Sequence, residues 1–144
     1  MSHLVSIDPD TDKCGVCAWS EEGQLISAVS WPASTPYPQG ADNLVCELMP
    51  VYPTDSMSMR QSLHRVCIAA GRVTAHYPDT VWVLPARWKG QVPKHIHHER
   101  LLAAATEPER VILLGKKRTK NRLSDILDAY GIGLWYLYRE GVRR

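Results

Sequence analysis

The sequence predicts a single α/β domain over residues 1–144: a mixed five-stranded sheet, three antiparallel strands and then parallel ones, flanked by helices. Three observations carry that prediction. The first third holds three β-rich runs separated only by turn residues. A strand–helix–strand succession follows, and its geometry favours a parallel pairing of the two strands. From residue 94 onward the apolar residues recur only at helical spacing.

The elements follow in order. "HLVSID", residues 3–8, is the first strand, and "PDTDK" after it is turn-prone. "CGVCAWS", 14–20, and "QLISAVSW", 24–31, form a hairpin turning near Gly23. The proline-rich loop "PASTPYPQG", 32–40, carries the chain across the sheet to a fourth strand, "NLVCEL", 43–48. Between Ser58, the expected N-cap, and His76, a helix is marked by Met59, Leu63, Val66, Ala70 and Val73. "TVWVLP", 80–85, is the fifth strand. "KHIHHERLLAAA", 94–105, is helical after Pro93. Thr106 and Glu109 match a capping box, so "ERVILLG" is a short helix closed by Gly115 rather than a strand. A basic loop, "KKRTKN", leads to the final helix, 121–137, and residues 138–144 read as a flexible basic tail.

The bulk properties exclude several classes. A chain of 144 residues buries a core without disulfides or a structural metal. No run approaches the ~18 apolar residues of a membrane span, and "MSHLVSIDPD" lacks the pattern of a signal peptide, so a cytoplasmic protein is expected. Cys14 and Cys17 form a lone CxxC without a second pair, and their odd offset on a strand points them to opposite faces; free thiols are expected. Charge is unevenly spread. Residues 1–86 hold four Lys and Arg against nine Asp and Glu, and residues 87–144 thirteen against six. A basic second half points towards nucleic acid.

The final helix poses a problem. Asp125 and Asp128 stand among Leu123, Ile126, Leu127, Tyr130, Ile132 and Leu134. Three residues along a helix turn through about 300°, which puts both carboxylates on one face roughly 5–6 Å apart. Two buried, ionised acids repel, so a positive group belongs between them, most simply a metal ion. Asp8 ends the first strand and Glu47 stands near the end of the fourth. Adjacent strand ends and a crossing helix can bring all four acids to one point. Such a set suits two Mg²⁺ ions about 3.5–4 Å apart, the arrangement that clamps a phosphodiester. Taken alone, the helical pair also fits an exposed face.

"SIDPD", "LVCELMPVY", "SLHRVCIAAGRVTA" with its Gly71, "WKGQVPK" and "SDILDAYGIGLW", in that order, resemble segments of the RuvC-type Holliday junction resolvases of the ribonuclease-H-like superfamily, the phage-type branch more than the bacterial one. The resemblance spans residues 4 to 138. It implies a ribonuclease-H-like sheet in which Asp8, Glu47, Asp125 and Asp128 are the catalytic, metal-binding acids, with Asp8 bridging two Mg²⁺ ions per site and Mn²⁺ as a possible substitute. It implies a homodimer that resolves four-way DNA junctions by paired symmetric nicks, leaving 5′-phosphate and 3′-hydroxyl ends, in a bacterial or phage-infected cell. The glycine of the family's IDPG is Asp10 here, either a substituted turn residue or a fifth carboxylate.

Lys116, Lys117, Arg118, Lys120 and Arg122 around the basic loop, with Lys89 and Lys94 in "WKGQVPK", are the candidate DNA-binding residues, against the plainer reading of a solvated surface. Trp88 fits either base stacking or core filling. His95, His97 and His98 lack an evident partner for a metal site. Gly131 and Gly133 each cost a helix about 1 kcal/mol, which implies tight packing there. Three alternatives stay open: a broader branched-DNA nuclease, a ribonuclease-H-like nuclease, and a junction-binding protein of the same fold that does not cut.

Overall fold

The computed structural model describes residues 2–144. Five strands, β1 (Ser2–Asp8), β2 (Lys13–Trp19), β3 (Leu25–Pro32), β4 (Ala41–Glu47) and β5 (Val81–Val83), form one sheet in the order β3-β2-β1-β4-β5. β1, β2 and β3 pair antiparallel, and β1–β4 and β4–β5 pair parallel. This is the predicted mixed sheet. Gly23, at φ 78°, turns the β2–β3 hairpin. The loop after β3 crosses the sheet as expected and is packed on it. Ala33 is buried, the Tyr37 N–H donates to the Val73 carbonyl at 2.8 Å, and the Tyr77 hydroxyl donates to the Pro38 carbonyl at 2.6 Å.

Period-two alternation sorts the strands onto two faces. Val5, Ile7, Cys14, Val16, Leu44 and Cys46 face α1 (Met57–Val73), which covers them with Ala69, Ala70 and Val73. Leu4, Cys17, Trp19, Val45 and Val83 face the opposite layer. That layer contains α3 (Lys94–Ala104), α4 (Glu107–Leu114) and the long α5 (Lys120–Arg139), while α2 (Pro85–Trp88) is a single turn after β5. The same alternation puts Asp8 and Glu47 on the α5 face.

Several expectations need correction. Ser56, not Ser58, caps α1, accepting from the Met59 N–H at 3.1 Å, and the helix stops at Val73. Met59 is exposed, and a Cβ at Gly71 would meet nothing within 4 Å, so neither marks close packing. The fifth strand stops at Val83 rather than at residue 85, and residues 85–88 form α2 because Pro85 supplies a favourable first helical position. The capping box of Thr106 and Glu109 is present.

The flexible tail is also corrected: Val142 packs against the α5 core, and Arg143 pairs with the buried Glu109 at 2.6 Å. Glu109 further accepts from the Tyr130 hydroxyl at 2.9 Å, so the segment after α5 is tied to α4 by an ion pair and its hydrogen bonds. Removing either partner would leave a buried charge without compensation.

α5 sits unusually close to the sheet. A Cβ at Gly15 would overlap the backbone carbonyl of Asp125, and a Cβ at Gly133 would overlap the Trp19 indole. The Ser6 hydroxyl donates to the Ala129 carbonyl at 2.7 Å while accepting from the Trp19 indole N–H at 3.0 Å. These contacts fix which α5 residues lie over β1. Gly15→Ala is therefore expected to destabilise the protein by about 1–3 kcal/mol, because backbone meets backbone and neither yields. Gly71→Ala is expected to be neutral or to stabilise by up to ~1 kcal/mol. Urea unfolding of the two variants checks both.

Candidate active site

The ends of β1 and β4 are neighbours. Ser6 aligns with Val45 and Ile7 with Cys46, so the next step along the ladder brings Asp8 beside Glu47. Asp8 also aligns with Gly15 on β2, the residue over which the Asp125 backbone passes. One turn further, α5 delivers Asp128. The carboxylates of Asp8, Glu47 and Asp128 are 8%, 5% and 4% exposed as residues, buried enough for desolvation to dominate their chemistry, and Asp125 is half-buried at the rim.

Electrostatics show that the four acids act on one another. Burial raises Asp8 well above the ordinary carboxylate range, and the charges of Asp128, Glu47 and Asp125 raise it further. Burial likewise raises Glu47, partly offset by a hydrogen bond from Trp88. Asp125 is raised to about 6, first by burial and then by the charge of Asp10. The charge of Asp10 thus reaches Asp125, while its side chain accepts from the Thr11 N–H at 2.7 Å, as suits a turn residue.

Two side chains from α3 meet the excess negative charge at Asp128. Lys94 Nζ lies 2.9 Å from one oxygen of Asp128, and His98 Nε2 lies 2.7 Å from the other. Lys94 and His98 are four apart on α3, so both reach the same side chain. A carboxylate only accepts, so His98 Nε2 carries the proton in that contact. Burial would raise Asp128, but the hydrogen bonds from His98 and Lys94 outweigh it and hold Asp128 below its ordinary value. Glu47 is held differently: the Trp88 indole N–H donates to its Oε2 at 2.7 Å. Trp88 reaches that position by lying over Gly131, where a Cβ would come within 2.6 Å of the ring. Trp88 thus packs against the core beside Gly131 and also holds an acid. His97 packs edge-on against the same indole at 5.2 Å.

The candidate DNA-binding cations have several fates. Lys94 sits among the acids. Lys89 lies over the Trp88 ring at 5.2 Å and its charge reaches Glu47. Lys116, Lys117 and Lys120 are exposed. Arg122 pairs with Asp12 at 2.7 Å, on the wall of a cleft of about 460 Å³ that also contains Asp10, Lys94 and Asp125. Arg118 is engaged in the fold, donating to the carbonyls of Leu113 and, at 2.8 Å, Ala28. Cys14 and Cys17 do fall on opposite faces, and burial pushes the Cys14 thiol up to about 11, against any nucleophilic role.

Sequence reasoning missed the pairing of Asp128 with His98. The available signal was the spacing of Lys94 and His98, which becomes meaningful only once α3 is known to lie beside α5. It also missed Gly15, whose role depends on a helix more than a hundred residues away.

A divalent, oxygen-seeking cation fits the donor chemistry: four carboxylates converge and repel, with no thiol among them. Asp128 is turned to Lys94 and His98, and Glu47 to Trp88, and no group of three or more His, Cys, Asp or Glu among the described residues is arranged to hold a metal ion. No helix among them is long and apolar enough to cross a membrane.

No protein-family model matches the chain, and no curated protein matches it. Solved structures do. The structure of Thermus thermophilus RuvC superposes with a TM-score of 0.57 at 17% identity, covering 96% of each chain. T. thermophilus RuvC in complex with a Holliday junction substrate superposes with a TM-score of 0.50 at 15% identity, covering 99% of this chain and 98% of that one. The likeness shows the ribonuclease-H-like fold over essentially the whole chain.

The raised acids predict a pH dependence. A carboxyl group whose native pKa exceeds its unfolded value of about 3.9 contributes stability below that value, and the contribution is lost as pH rises through the native pKa. For Asp125 the window closes near about 6. In metal-free buffer, Asp125→Asn is expected to raise the melting temperature at pH 7.5 by a few degrees and to leave it little changed at pH 4.5. Thermal melts at the two pH values in EDTA check this.

Proposed function

We propose that this chain is a Mg²⁺-dependent, structure-selective endodeoxyribonuclease that resolves four-way DNA junctions as a homodimer by paired symmetric nicks. The observation that carries the reading is the convergence of Asp8, Glu47, Asp125 and Asp128 over the ends of β1 and β4. A binding protein would gain nothing from concentrating negative charge where phosphates dock. The likeness in fold to a RuvC structure holding a Holliday junction supports the choice of substrate.

In this reading the four acids hold two Mg²⁺ ions, with Mn²⁺ as a substitute, and the bound metals supply Lewis acidity for hydrolysis of the phosphodiester to 5′-phosphate and 3′-hydroxyl ends. The protein's own groups set the geometry. Trp88 orients Glu47, and His98 orients Asp128. Lys94 offsets part of the cluster's negative charge through its pair with Asp128 and would be a cation available to a phosphate if a metal took its place there. Lys89, Lys120 and Arg122 beside the acids, with the exposed Lys116 and Lys117 of the basic loop, are the phosphate contacts in this reading.

One observation favours a second reading. The two oxygens of Asp128 are taken up by Lys94 and His98, as suits a protein that binds junctions without cutting them.

The test is cleavage of a labelled mobile four-way junction beside a linear duplex of the same sequence, with and without Mg²⁺. Paired nicks on the junction alone are expected, absent without metal and absent in Asp8→Asn. Trp88→Phe, which removes the hydrogen bond to Glu47, is expected to slow cutting by about 10–100-fold. Cutting of forks, flaps and duplex alike would reduce the protein to a general branched-DNA nuclease. Tight junction binding without product would establish the second reading.

A further inference from the structure

Beyond Trp88, on the side of the acids nearest β5, the surface changes character. Two clefts, of about 660 and 680 Å³, lie side by side and share Trp135 and Arg139 as the ridge between them. Trp82 and Arg87 line one; Tyr138 and Arg100 line the other. No carboxylate lines either cleft. Arg87 and Arg100 are exposed and make no ion pair among the described residues, and Arg139 meets only its neighbour Glu140, at 3.7 Å. The Arg139 guanidinium stands over the Trp135 ring at 5.3 Å, leaving cation and aromatic plane together at the surface. Tyr138 is 53% exposed, a large solvent cost for an aromatic side chain with no role in the core.

Exposed aromatic planes interleaved with exposed arginines match a ligand that is flat, apolar and anionic at once. Unpaired nucleotides have that chemistry: bases stack on the rings, and phosphates meet the guanidinium groups. Bases within a duplex are stacked on one another and cannot reach such planes. The surface adjoins the acids directly. Trp88 walls one cleft while holding Glu47, and Val83, the β-ladder partner of Glu47, lines the other.

We propose that the Trp135–Tyr138 surface, with Arg87, Arg100 and Arg139, is a binding platform for single-stranded DNA next to the acidic cluster. It takes the bases left unpaired at a branch point. The choice of DNA rests on the nuclease reading above, whereas the binding itself does not require cleavage.

The test uses the full chain carrying Asp8→Asn, without divalent metal, and follows the fluorescence anisotropy of labelled oligothymidylate and of a labelled linear duplex. Trp135→Leu is expected to weaken oligothymidylate binding by roughly five- to a hundredfold, the range of one lost base stack, with duplex binding changed less than about twofold. Because Trp135 also touches the core, Tyr138→Ala and the Arg100→Gln/Arg139→Gln pair, all exposed, repeat the test with the fold intact. The arginine pair is expected to lower the salt dependence of single-strand binding. Equal losses on single strand and duplex, or no loss on either, would overturn the platform. So would concentration-dependent self-association abolished by Tyr138→Ala, which would assign the surface to a second copy of the chain. A protein that fails to cut junctions but keeps selective single-strand binding would refute the nuclease reading and leave the platform standing.

Discussion

The seating of α5 on β1 and β2 is the constraint on which the rest depends. Gly15 lets the helix backbone descend onto the sheet at Asp125, and the Ser6 hydroxyl fixes the register by bonding the Ala129 carbonyl. The two are complementary. A missing side chain permits the approach, and a buried hydroxyl that must find a partner selects one position along it. A helical slip of one residue would turn Asp125 and Asp128 by about 100° away from Asp8 and Glu47. The cluster of acids is therefore a consequence of packing at some distance from it.

That packing has a second consequence farther along the helix. Gly131 and Gly133 are one turn above the acids, and each admits an indole: Trp88 from α2 and Trp19 from β2. Through Trp88 the gap at Gly131 is transmitted to Glu47, so a glycine on one helix helps to orient an acid on β4. Trp19 stacks on Tyr130 at 5.3 Å, and Tyr130 bonds Glu109, which holds Arg143. The apolar and polar parts of the α5 layer are thus one connected structure, running from the acids to the end of the chain.

Much of this was legible in the sequence, for physical reasons. Strand alternation is strict, so Asp8 and Glu47 could be assigned to strand ends, and the DxxD spacing on a helix put Asp125 and Asp128 on one face. The capping box of Thr106 and Glu109 is a local device and was readable locally. What escaped depends on contacts between segments far apart in the chain. Lys94 and His98 were visible as basic residues, but their shared target, Asp128, is thirty positions or more away. Arg118 reads as one more cation of a basic loop, yet its guanidinium ties that loop to β3 at Ala28. Residues 138–144 look like a polar tail by composition. Only the buried Glu109 on α4 explains why Arg143 is held.

The central claim is that the four acids form a divalent-metal site. The most direct measurement is anomalous diffraction from crystals of the protein soaked in Mn²⁺. The account predicts two peaks about 3.5–4 Å apart among Asp8, Glu47, Asp125 and Asp128, with Lys94 displaced from Asp128. Crystals that bind Mn²⁺ elsewhere, while Lys94 and His98 keep their hold on Asp128, would contradict it.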